Sequence, residues 1–152
     1  MFDINKLKLL REQTDVSFTL CKKALEETNN DIEKAKLLLT KWGAEKVKSK
    51  SNRETTQGII ASYVHHNKKV AGLVELLCET DFVSGNHDFQ KLGQEIAMQI
   101  ASLKAKSVKE LLEQEYIRDP SKKINDLIKD AVLKFGENIK ITRLLRWEIG
   151  VK

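Results

Sequence analysis

Residues 70–78 (Val-Ala-Gly-Leu-Val-Glu-Leu-Leu-Cys) are apolar almost throughout, Glu75 being the exception. A strand of this composition has little to show water on either side. It belongs in the middle of a sheet, with a cover on at least one face. Residues 58–64 precede it and alternate with period two: Ile60, Ser62 and Val64 oppose Ile59, Ala61 and Tyr63. The polar stretch His65-His66-Asn67-Lys68-Lys69 joins the two runs as a hairpin. A third alternating run lies near the end of the chain. There Ile139, Ile141, Leu145, Trp147 and Ile149 share one face, and Lys140, Thr142, Leu144 and Arg146 the other.

Helical periodicity fills the space between the second and third runs. Phe89, Leu92, Ile96, Ile100 and Leu103 recur at spacings of three and four, which marks one face of a helix. A shorter segment carries Val108, Leu111 and Leu112. Pro120, the only proline, is expected in the first turn of a further helix. That helix presents Ile124, Leu127, Ile128, Ala131, Val132 and Phe135, and Gly136 ends it. The order strand, strand, helices, strand predicts an α+β fold: a three-stranded, mainly antiparallel sheet covered by helices on one side.

The first 43 residues read as a three-helix bundle. Ile4, Leu7 and Leu10 line the first helix. Ser17 is the expected N-cap of a second, which carries Leu20, Cys21, Ala24 and Leu25 inward. Asn30 and Glu33 have capping-box spacing for a third, with Ile32, Ala35, Leu38, Leu39 and Trp42 on its apolar side. Gly43 is expected to stop it. So small a bundle is near the lower limit for independent folding. Residues 44–57 read as a basic linker or solvated helical extension, with Lys46, Lys48, Lys50 and Arg53 and almost no apolar anchor. The expected organisation is thus 1–43, 44–57 and 58–152.

Apolar residues make up 41% and charged residues 32% of the 152. That balance is globular and excludes a disordered chain. No apolar run approaches the ~20 residues of a spanning helix. The first residues lack the charged-then-apolar pattern of a secretory signal. A cytosolic location is expected, or an organelle matrix if a transit peptide was removed. The net charge of +5 permits an acidic protein or an RNA as partner. Cys21 and Cys78 lack metal spacing and sit among apolar residues, as small buried hydrophobes do.

No enzyme site converges. There is no phosphate-cradling glycine loop and no paired Cys motif. His65 and His66 are adjacent, and strand alternation would point them to opposite faces, a poor start for a metal. No cofactor and no metal are expected. Thr80-Asp81 precedes a helix, so one of the two is an N-cap. On this reading of the residues alone, Phe82 and Val83 are first-turn core residues.

Four segments carry a resemblance: Leu10-Arg11-Glu12-Gln13-Thr14, Cys21-Lys22-Lys23-Ala24-Leu25, Cys78-Glu79-Thr80-Asp81-Phe82-Val83 and Gly136-Glu137-Asn138-Ile139. With them the chain resembles elongation factor Ts from about residue 4 to 150. The resemblance implies a ubiquitin-associated-like bundle followed by an α+β core. It implies a guanine-nucleotide exchange factor that releases GDP from elongation factor Tu without being an enzyme. Thr80, Asp81, Phe82 and Val83 would form the tip pushed into that GTPase, dislodging its Mg²⁺. The loop before the second helix, with Val16, Phe18 and Thr19, would dock on it; Phe18 as bundle core is the other reading. The family pattern there is Thr-Gly-Ala-Gly followed by two methionines, and this chain has Asp15 and Ser17 at the glycine positions and Phe18-Thr19 at the methionines. Many members carry two core copies or a long helical hairpin, whereas this chain has one core copy. A homodimer is therefore expected, with a second chain covering the bare sheet face. The alternative is a basic RNA- or ribosome-associated protein, resting on the charge and the Lys46–Arg53 strip. A bundle that binds ubiquitin-like partners is a third reading, limited to the first 43 residues. The exchange-factor reading expects no direct nucleic-acid contact.

Overall fold

A computed structural model describes residues 2–151. Met1 and Lys152, at the outer ends of the expected first and last segments, lie outside the described residues. The chain divides into two compact units, Met1–Asn52 with Lys129–Gly136, and Arg53–Ile128 with Glu137–Lys152.

In the first unit, helices α1 (Ile4–Thr14), α2 (Phe18–Glu27) and α3 (Ile32–Lys50) are each closed by a side-chain cap. Asp3 accepts from the Asn5 and Lys6 amides, Ser17 from Leu20, and Asp31 from Lys34. The cap of α3 is therefore Asp31 and not Asn30. Asn29 and Asn30 both have left-handed backbones, φ 52° and 61°, which asparagine tolerates better than most residues. Nor does Gly43 end the third helix, because Ala44–Lys50 continues it with good helix formers. Gly43 is buried, and a Cβ there would lie 3.2 Å from the carbonyl oxygen of Lys129. Close packing, not chain reversal, explains this glycine. The core is Leu7, Leu10, Val16, Cys21, Ala24, Leu25, Ala35 and Leu39, completed by Leu133. Leu133 comes from helix α7 (Ile124–Phe135), so residues remote in sequence enlarge a core that three short helices leave small.

The second unit is built on strands β1 (Gln57–Val64), β2 (Val70–Cys78) and β5 (Lys140–Glu148). They form one antiparallel sheet in the order β1-β2-β5, with β2 central as its composition predicts. Helix α5 (His87–Ser102) crosses one face and buries Phe89, Ile96, Ala97 and Ile100. It lies so close that a Cβ on Gly72 would collide with the Ala97 carbonyl.

The predicted single apolar face of β5 is broken by a bulge. Glu75 pairs with Arg143, yet Leu76 pairs with Ile141, so an extra β5 residue intervenes. One extra residue flips every side chain beyond it. Ile139 and Ile141 are buried, whereas Leu145 and Trp147 are exposed, Trp147 by 71%. At the bulge, two β5 residues reach one carboxylate: Thr142 Oγ1 donates to Glu75 at 2.6 Å and Arg143 Nε at 3.0 Å. Those hydrogen bonds hold the Glu75 carboxyl below its ordinary range.

Pro120 also falls elsewhere than expected. It lies in β4 (Asp119–Lys123), which pairs with β3 (Glu115–Tyr116) in a small hairpin after the short helix α6 (Val108–Glu113), and α7 starts after it. Proline lacks an N–H but suits a two-stranded ribbon, where each strand is an edge. Gln99, fully buried, anchors this hairpin: its Nε2 donates to Gln114 Oε1 and to the Glu115 carbonyl, and its Oε1 accepts from the Ile117 amide. Tyr116 donates to Glu95 Oε2 at 2.6 Å, which also takes Arg118 Nε at 2.6 Å. Among the described residues, no helix is long and apolar enough to cross a membrane.

Candidate functional site: an exposed aromatic on a clamped turn

Beyond Cys78 the chain leaves the sheet and makes a single helical turn, α4 (Asp81–Ser84). Thr80 is extended (φ −125°, ψ 157°), and its hydroxyl accepts from the Val83 amide at 3.4 Å. The turn closes through Ser84 N–H to Thr80 O and Gly85 N–H to Asp81 O. Asn86 then caps α5. This geometry separates the two apolar residues of the turn. Val83 is 8% exposed and joins the core, whereas Phe82 is 87% exposed. The expectation that both are core is correct for Val83 and wrong for Phe82. A one-turn helix has only one inward side, and Val83 occupies it. Asp81 is exposed beside Phe82.

A second chain segment holds the turn in place. Glu137 Oε1 accepts from the Glu79 amide at 3.1 Å and the Thr80 amide at 3.0 Å. Its Oε2 accepts from the Thr80 hydroxyl at 2.6 Å. The exchange is reciprocal, since Glu79 Oε1 accepts from the Asn138 amide at 2.7 Å. Arg53 joins from a third segment: its guanidinium reaches Glu79 at 3.4 Å, and its carbonyl accepts from Asn138 Nδ2 at 2.8 Å. The Cys78 thiol donates to the Thr80 carbonyl at 3.2 Å. Burial, and secondarily the Glu137 charge, push this thiol up, so it stays protonated and inert. The sequence pattern pointed to Glu79 and to Glu137-Asn138 as motif residues. Their mutual bonds span more than fifty residues and had no sequence signal.

The loop before α2 is built differently. Asp15 takes a left-handed backbone, φ 56°, as the C-cap of α1. This is the conformation a glycine adopts freely and aspartate tolerates. Ser17 is the N-cap of α2. Both departures from glycine therefore have a local physical basis. Val16 is buried at 3%, in the bundle core rather than on the surface. Phe18 is 47% exposed and meets Phe2 edge-on at 6.3 Å. Thr19 is exposed.

The remaining candidates are weaker. His65 lies just past β1, so strand alternation does not separate it from His66, and their ring centroids are 4.1 Å apart. The Tyr63 hydroxyl is within 2.9 Å of His65 Nδ1. Among the described residues, no group of three His, Cys, Asp or Glu side chains gathers to hold a metal. In the basic strip, Lys50 donates to the Gly136 carbonyl and Arg53 is engaged by Glu79. Half of the four cations named from the sequence are thus occupied within the protein.

A family model described as Elongation factor TS matches residues 79–151, which include the whole Glu79–Glu137 clamp. Elongation factor Ts of Thermosipho melanesiensis is 38% identical over 195 aligned positions, covering 99% of this chain and 100% of that protein. Elongation factor Ts of Coprothermobacter proteolyticus is 38% identical over 189 positions, covering 95% of this chain and 96% of that protein. The Thermotoga neapolitana protein of the same name is 36% identical, with 95% of each chain covered. These alignments are longer than the 152 residues of this chain, so the relatives carry segments that it lacks.

Proposed function

The chain belongs to the elongation factor Ts family of translation elongation factors, and from that premise we propose that it is a guanine-nucleotide exchange factor for elongation factor Tu. The observation that carries this reading is Phe82, a large aromatic 87% exposed on a turn whose next residue is buried. Such an aromatic is a contact waiting for a pocket. Phe82 wedges between helices of the GTPase, and Asp81 holds the contact by hydrogen bonds. Thr80 and Val83 fix the turn behind them. The displaced helices disturb the groups that hold the partner's Mg²⁺ and phosphates. Loss of that cation weakens GDP strongly, because it is the largest local charge among the phosphate oxygens. No covalent chemistry is required of this chain.

Phe18 and Thr19 supply a second contact on the GTPase, and Val16 shapes their loop from beneath. Linkage fixes the thermodynamics: if the factor weakens GDP by some ratio, GDP weakens the factor by the same ratio. The stable complex is then the nucleotide-free one, and GTP completes the exchange. This activity belongs in a bacterial cytoplasm or an organelle matrix.

The sheet face away from α5 motivates a second part of the proposal. Ile60, Val64, Leu73, Leu145 and Trp147 are exposed together there. A second copy of this chain, placing the same face against it, would cover them in a two-fold dimer. Light scattering on the wild type and Leu73→Asp tests this, with dimer expected for the first and monomer for the second. Wild-type monomer at tens of micromolar would remove it.

The primary test loads elongation factor Tu with fluorescent GDP, adds excess unlabelled GDP and follows release. Substoichiometric amounts of the chain are expected to accelerate it. Unchanged release with folded protein would sink the reading, and binding to RNA that weakens steeply with salt would replace it.

A further inference from the structure

The four-residue helix that carries Phe82 is too short to be stable by itself. Phe82 cannot order the turn either, since at 87% exposure it packs on little of the protein. Val83 anchors one side, the Cys78 thiol donates to the Thr80 carbonyl at 3.2 Å, and the turn runs directly into α5 through its cap Asn86. The tie that reaches it from a distant part of the chain is polar. One carboxylate, Glu137, takes both amides that lead into the turn, and takes the Thr80 hydroxyl with its other oxygen.

The Thr80 hydroxyl has one proton. Glu137 claims it at 2.6 Å, so the oxygen lone pairs are left to face the Val83 amide. Glu137 thus sets the orientation of the N-cap as well as the position of the backbone. Bonds to an ionised carboxylate are about twice as strong as neutral ones. The reverse bond, Asn138 amide to Glu79, resists sliding of one segment along the other.

We propose that Glu137 is a positioning residue for nucleotide exchange: through Thr80 it presents Phe82 to the GTPase already ordered. The proposal rests on the exchange-factor reading given above. An ordered wedge loses less conformational freedom on insertion than a mobile one, so the benefit appears in the step that displaces the partner's helices. Glu137 itself touches neither nucleotide nor metal.

The test compares wild type, Glu137→Ala and Glu137→Gln as full-length chains. Release of fluorescent GDP from elongation factor Tu is measured across factor concentration, and amide hydrogen exchange is measured on each free chain. For Glu137→Ala the saturating release rate is expected to fall roughly tenfold, with the half-saturating concentration within about twofold of wild type. Glu137→Gln keeps an oxygen for the two amides but loses the charge, and is expected to fall about threefold. The amides of Glu79, Thr80 and Val83 should exchange faster in Glu137→Ala, and those of Val74 and Leu76 at the wild-type rate.

A merely structural role gives a different pattern. Partial unfolding lowers the active concentration, so only the half-saturating concentration would rise and the plateau would stay; that result overturns the proposal. Unchanged exchange at Glu79 and Thr80 overturns it as well. If Glu137→Ala does not fold, the Glu137→Gln plateau decides by the same criteria. A wild-type chain that fails to accelerate release removes the role in exchange along with the reading beneath it. Tip amides that still loosen in Glu137→Ala would show that the clamp itself was correctly identified.

Discussion

The turn at Thr80–Val83 and the loop at Asp15–Thr19 use similar parts in different ways. Each has a hydroxyl N-cap, Thr80 or Ser17, an exposed aromatic, Phe82 or Phe18, and a buried valine, Val83 or Val16. The loop's hydrogen bonds are local: Thr14 Oγ1 donates to the Leu10 carbonyl at 2.7 Å, and Asp15 N–H to Arg11 O at 2.8 Å, while one exposed ion pair, Lys134 Nζ to Asp15 Oδ2 at 3.8 Å, reaches it from α7. The turn is held by residues 57 to 59 positions away. The aromatics differ to match, since Phe18 leans on Phe2 while Phe82 stands clear. A locally held loop can accept Asp15 and Ser17 in place of glycines, because each solves its own backbone problem. A remotely held turn gains a fixed direction, at the risk that damage elsewhere misaims it.

The sharpest break in this comparison is removal of the two aromatics. Phe82→Ala is expected to lower the saturating GDP-release rate on the order of a hundredfold, as hot-spot truncations do. Its melting temperature should stay at the wild-type value, because the side chain is exposed. Phe18→Ala should instead raise the half-saturating concentration by about tenfold and leave the plateau, as lost uniform binding does. Unfolding of Phe82→Ala would return Phe82 to the core.

A smaller effect distinguishes the caps. Ser17→Ala should cost ~1 kcal/mol, the ordinary value of an N-cap. Thr80→Val removes the cap and the bond to Glu137 together, and should cost ~2 kcal/mol. Equal losses in chemical denaturation would mean that the bond to Glu137 adds nothing.

Smallest is a pH effect outside both sites. Burial, then the hydrogen bond to Glu95, push the Tyr116 phenol well above its usual range. A group raised in the folded state stabilises it below its unfolded value and loses that contribution as pH rises. Stability should therefore fall as pH climbs past about 10, the unperturbed phenol value. Tyr116→Phe should fall less steeply over that window. Parallel curves would leave the Tyr116–Glu95 bond without a part in alkaline unfolding.

Much of the scaffold was legible in residue order. Alternation marked β1, a nearly unbroken apolar run marked β2, the polar stretch between them marked the hairpin, and Ser17 and the Thr80-Asp81 pair were recognisable as cap positions. What failed was information that a window of neighbours does not contain. Gly43 looks like a stop until Lys129 is seen packed against it. Pro120 looks like a helix start until β3 is seen pairing with its strand. The alternation of β5 was read without its bulge, because an inserted residue is visible only against the partner strand.

The sequence by itself determined most of the element types, the central place of β2 and the residues available for the tip, because periodicity and capping act over one or two turns of chain. Only the tertiary structure decided that Val83 faces in and Phe82 out, and that Glu137 and Glu79 grip each other's segments. Those outcomes depend on which surfaces meet, and burial and carboxylate–amide bonds between distant segments exist only once the chain has closed on itself.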